Sequence, residues 1–126
     1  MTEQDKKALL ADPDGLKAYE YIANNIDTVL PDLDFVIDCM AKADASGQFM
    51  ASAARYLHAI DADAFAPYIQ RLVAQVIDRD RERRYLSDIL QGIYGPDYEQ
   101  RATELSATDD NFRRIYKRLF PSVSSF

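Results

Sequence analysis

The chain has 126 residues, 48% of them hydrophobic and 29% charged, with a formal net charge of −6 and one cysteine, Cys39. That length and balance suit a single folded domain spanning 1–126 with its own core, and argue against disorder. A lone cysteine excludes an internal disulfide. The start of the chain lacks a signal-peptide stretch, and no run approaches the roughly 20 apolar residues of a membrane helix, so a soluble, cytoplasmic protein is expected.

Residues 1–11 read as a loose arm or a short helix. Asp12-Pro13-Asp14-Gly15 is a helix start, with Asp12 as N-cap and Pro13 at the first helical position. Leu16, Tyr19, Ile22, Ile26, Val29 and Leu30 then share one helical face up to Pro31. Asp32 is expected to cap the next helix, which carries Leu33, Val36, Ile37 and Met40. After the turn 44–47, Ser46 is expected to cap a helix bearing Phe49, Met50, Ala53, Tyr56, Leu57 and Ile60.

Two apolar ladders follow. Phe65, Tyr68, Ile69, Leu72, Val73, Val76 and Ile77 form the first, and Tyr85, Leu86, Ile89, Leu90, Ile93 and Tyr94 the second. Each repeats at helical spacing. Between them run seven consecutive charged residues, Asp78 to Arg84. One continuous helix would put Asp80, Arg81 and Arg84 on the apolar face, and an unpaired buried charge costs several kcal/mol. Two helices separated by a turn near 78–82 are therefore the preferred expectation, the alternative being one long helix whose middle turns leave the core. Gly95-Pro96 is a stop, with Gly92 and Gly95 read as helix termination. A short helix with Tyr98 and Leu105 follows, then a last one capped by Thr108 and bearing Phe112, Ile115, Tyr116 and Leu119. Residues 121–126 read as a flexible tail.

No segment alternates with period two, so the expected class is all-α: a helical bundle or a short array of antiparallel helix hairpins, with six to seven helices. Ser52, Tyr56, Ala59, Asp61 and Asp63 are faintly similar to the second helix of a tetratricopeptide motif. The first helix of that motif is missing and Ala64 replaces its proline, so the similarity marks a generic helix hairpin.

Chemistry-bearing motifs are sparse. His58 is the sole histidine; with Asp61 and Asp63 it falls short of a metal site, and no metal or cofactor is expected. Cys39 reads as a buried structural thiol. Asp34 and Asp38 lie one turn apart with Lys42 a turn later, a charged face more than an acid–base pair. Four glycines form no phosphate loop.

Charge is uneven: residues 1–66 hold 12 acidic and 5 basic residues, residues 67–126 hold 9 and 10, and nine of those ten bases are arginine. The arginines near 80 alternate with acids, which argues against nucleic-acid binding. With eight tyrosines, the composition suits a protein interface. The leading expectation is a non-enzymatic protein-interaction or regulatory module, or a self-associating one, contacting its partner through Arg79, Arg81, Arg83, Arg84 and Tyr85. The alternatives are a Tyr-lined small-ligand or enzymatic pocket near Asp34 and Asp38, and weak Arg-mediated nucleic-acid contact.

Overall fold

A capping box starts the first helix. The Thr2 hydroxyl accepts the Asp5 N–H and the Asp5 carboxylate accepts the Thr2 N–H, both at 3.0 Å, so α1 (Glu3–Leu10) is a helix and not a loose arm. This computed structural model describes residues 1–122. After α1 come α2 (Leu16–Asn24), a 3-10 turn (Leu30–Asp32), α3 (Leu33–Ala43), α4 (Gln48–Asp61), α5 (Ala66–Arg79), α6 (Leu86–Tyr94), α7 (Ala102–Thr108) and α8 (Asp110–Leu119). The class is all-α. Among the described residues there are eight α-helices, more than the six to seven expected. Of the expected tail, Pro121 and Ser122 form a turn; 123–126 lie outside the described residues.

Both ladders bury as expected. Ile69, Leu72, Val73, Val76 and Ile77 of α5 and Leu86, Ile89, Leu90 and Tyr94 of α6 belong to one core with Ile22, Leu33, Ile37, Met40, Met50, Leu57 and Phe112. The helix breaks between Arg79 and Leu86. Gly95, with φ +95°, ends α6. Gly92 lies inside α6 and terminates nothing. A Cβ there would stand 3.1 Å from the Arg55 side chain, so the glycine makes room for that stem.

Several helix boundaries differ from expectation. α2 ends at Asn24, although its apolar spacing continues to Leu30. Asn25 intervenes: its side-chain amide donates to the Tyr21 carbonyl at 2.9 Å, drawing the chain off the helix. Val29 is still buried, but Leu30 is left exposed. Asp32 occupies the N-cap position of α3 without a side-chain bond to the helix. The last helix is capped by Asp109, whose Oδ1 accepts the Phe112 N–H at 3.0 Å, and not by Thr108, whose hydroxyl donates back to the Glu104 carbonyl.

Three buried aspartates, Asp12, Asp44 and Asp80, build one turn three times. Gly15, not Asp12, holds the N-cap position of α2, and Pro13 lies in the turn before the helix, but the Asp12 carboxylate still serves the helix start: Oδ1 accepts the Gly15 N–H at 3.1 Å and Oδ2 the Ala18 N–H at 3.0 Å. Asp44 Oδ1 accepts from Gly47 at 3.0 Å and Oδ2 from Phe49 and Met50, each at 2.9 Å. Asp44 thus supplies the cap expected of Ser46, whose hydroxyl accepts only the Gln48 N–H, at 3.3 Å. Asp80 accepts from Arg84 at 2.9 Å, Tyr85 at 2.7 Å and Leu86 at 3.1 Å. The third residue after each aspartate has positive φ: Gly15 +101°, Gly47 +84° and Arg83 +58°. That left-handed step reverses the chain and brings the next helix's orphan N–H groups onto the carboxylate.

Helix neighbours repeat through the first two hairpins. α2 packs on α3 and α4 on α5; α2 also touches α4, and α4 touches α6. On the other side α3 touches α5, and α5 touches α8. An aromatic group closes the C-terminal end, with Phe112 edge-on to Tyr94 at 5.0 Å and stacked on Tyr116 at 5.5 Å.

Candidate functional site

The turn between α5 and α6 is held rigid from within. The three backbone N–H bonds to Asp80 consume its carboxylate and fix the backbone from 84 to 86. Burying this charge is tolerable because it is fully hydrogen-bonded. Asp80 thus lies inside without the penalty that motivates a helix break, and it organises that break.

The five arginine-junction residues take different roles. Arg79 is half-buried: its Nη1 donates to the carbonyls of Ala41 at 2.6 Å and Asp44 at 2.8 Å, and Nη2 to Gln75 Oε1 at 2.8 Å. It ties the end of α5 to the end of α3. Arg83 stands apart, its Nη1 donating to the Arg118 carbonyl at 3.3 Å. Arg84 pairs with Glu82 at 2.5 Å in solvent. Arg81 is exposed and has no side-chain partner among the described residues. Tyr85 is half-buried at the N-cap of α6. Arg79, Arg81, Arg84 and Tyr85 share the wall of a surface depression of about 290 Å³ with Ser46, Asp80 and Glu82; Arg83 does not line it. The remaining acid of the charged run, Asp78, pairs across to Arg114 at 2.9 Å.

Ser46 was not legible as a site residue. It reaches this depression because the 44–47 turn abuts the end of α5: a Cβ on Gly47 would lie 3.4 Å from Val76 Cα and 3.7 Å from Arg79 Cβ. Four spaced glycines and aspartates carry a partial signal, since Asp12-x-x-Gly15 and Asp44-x-x-Gly47 share a spacing. Arg83 in the third glycine position hides the third copy.

The other candidates resolve differently. Asp34 and Asp38 engage Arg71 of α5, Asp34 at 3.5 Å, and not Lys42. That arginine spends the pair as a surface tie between α3 and α5. A depression of about 320 Å³ between α1 and α2 has Tyr21 as its one tyrosine. Tyr94 is buried, with its hydroxyl donating to Asp109 Oδ2 at 2.9 Å, and burial together with the Asp109 charge pushes its phenol far above the usual range. Cys39 is buried, and burial raises its thiol pKa, away from nucleophilic use. Asp61 Oδ1 accepts the Ala64 N–H at 3.0 Å, a turn bond. Among the described residues no three His, Cys, Asp or Glu side chains converge as a metal would need, and no helix is long and apolar enough to cross a membrane.

No protein-family model matches the chain, no curated protein matches it, and no solved structure matches it.

Proposed function

We propose that the chain is a short array of antiparallel helix hairpins that works as a non-enzymatic protein-interaction module, with the α5–α6 turn as its contact point. The pairing of α2 with α3 and α4 with α5, and the contact of α2 with α4 and α4 with α6, support the array reading. One observation carries the interaction reading: Arg81 stands exposed and without a side-chain partner among the described residues, sharing a depression with Tyr85, whose backbone Asp80 holds. An exposed cation beside an amphipathic ring matches hot-spot composition. Arginine also presents a planar fork suited to a partner carboxylate.

The test is capture of the tagged chain with its complexes from its own cells, followed by affinity measurement on the partner recovered. Arg81→Glu/Arg84→Glu is expected to weaken that partner by about tenfold or more, the equivalent of one hot-spot contact. A partner indifferent to both charge reversals would contradict the assignment.

A further inference from the structure

The depression at Arg81 has a counterpart one turn earlier. A second depression, of about 300 Å³, lies between the 12–15 and 44–47 turns. Counting from each buried aspartate, the two are lined by equivalent positions. Ala45 and Arg81 follow Asp44 and Asp80 directly. Gln48 and Arg84 come four residues on, and Phe49 and Tyr85 five. Each depression is closed by the second residue after the preceding aspartate, Asp14 in one and Ser46 in the other. Ser46 lines both, so they lie side by side. The turns also abut: a Cβ on Gly15 would stand 3.0 Å from Asp44 Cβ and 3.4 Å from Phe49.

Equivalence of shape is not equivalence of charge. In the first depression Asp44 is spent on backbone N–H groups, and the variable positions are neutral, Ala45 and Gln48. In the second, Asp80 and Arg79 are spent internally and Arg84 is balanced by Glu82, which among the described residues leaves Arg81 as the uncompensated charge. Phe49 and Tyr85 are both half-buried, each offering ring surface at the same place in its turn.

Resting on the interaction-module reading, we infer that the stacked turns 12–15, 44–49 and 80–85 form one groove with two repeat-equivalent subsites. Its occupant is an extended segment of a partner protein. Side chains of that segment cover Phe49 and Tyr85, and one acidic side chain meets Arg81. An extended strand fits because the subsites come from successive turns, and charge complementarity sets its direction: acidic at the Arg81 end, neutral or basic toward Asp14.

The probe is a display library of random-sequence linear peptides selected on the full chain. The expected result is enrichment of peptides with an Asp or Glu next to an apolar residue. Binding of a selected peptide should fall about tenfold or more with Arg81→Glu and also with Ser46→Arg, an exposed position shared by both subsites. Glu104→Lys, exposed on α7, should leave it unchanged. Circular dichroism of each variant shows that it is folded. No enrichment, or enriched peptides indifferent to Ser46→Arg, overturns the groove. If a captured cellular partner still depends on Arg81 in that case, the module reading stands and only the extended-segment inference fails. If that dependence is missing too, both fall.

Discussion

Asp80 Oδ2 accepts the amide N–H of Leu86 at 3.1 Å, six residues ahead, as Asp44 does for Met50 and Asp12 for Ala18. These carboxylates are the joints of the molecule. Replacing one with alanine strands several N–H groups at a buried helix start. We expect Asp44→Ala and Asp80→Ala each to lose about 2 kcal/mol, at the upper end for a helix cap. Urea unfolding followed by circular dichroism gives the value; a loss no greater than that of an exposed surface substitution would contradict the role.

Arg83 occupies with φ +58° the place that Gly15 and Gly47 hold in the other turns. A non-glycine residue is strained there by about 1–2 kcal/mol, partly offset by the chain entropy that glycine adds. Arg83→Gly should therefore stabilise the fold by about 0.5–1 kcal/mol, its exposed 3.3 Å bond to the Arg118 carbonyl being a small loss. The mirror experiment is Gly47→Ala. With φ +84° and a new Cβ 3.4 Å from Val76 Cα, it should destabilise. Opposite signs in a pair of melting curves are the expected outcome.

Arg79 and Arg81 are two residues apart and should behave oppositely. Arg79→Ala removes charged donors from the Ala41 and Asp44 carbonyls and should cost about 1–3 kcal/mol. Arg81→Ala should shift stability by no more than about 0.5 kcal/mol, while weakening any partner. Equal effects on stability would merge two roles that the geometry separates.

Tyr94 makes stability depend on alkaline pH. Its folded-state pKa is raised above the ordinary value of 10.0, by burial first and then by Asp109. A raised pKa contributes stability that is fully present below pH 10.0 and is lost as pH rises above it. Phenol absorbance should show one tyrosine ionising only as the fold is lost. Tyr94→Phe should cost about 0.5–1.5 kcal/mol at neutral pH and flatten the alkaline decline. An unchanged alkaline profile in that variant would count against the assignment.

Helix identity was legible wherever apolar spacing was long: the ladders of α5 and α6 bury the residues their periodicity points to. Boundaries were less so, because side chains competing for backbone bonds decide them. Asn25 stops α2 while Ile26 and Val29 still match the helical face, and Asp109 takes the cap from neighbouring Thr108. The Asp34–Asp38 face was visible, but its partner Arg71 lies 33 residues beyond Asp38 and no local rule points to it. The charge run was legible as a junction, yet its residues could not be sorted by sequence. Only the fold shows that Arg79 turns inward to carbonyls from the end of α3, and that Arg81 is left over.

The measurement that bears most directly on the account is the affinity of the captured partner for the wild-type chain and for Arg81→Glu/Arg84→Glu, by titration calorimetry at two salt concentrations. A loss of about tenfold or more is expected for the variant, with wild-type binding that weakens as salt rises. Equal affinities for the two proteins would place the contact elsewhere on the molecule.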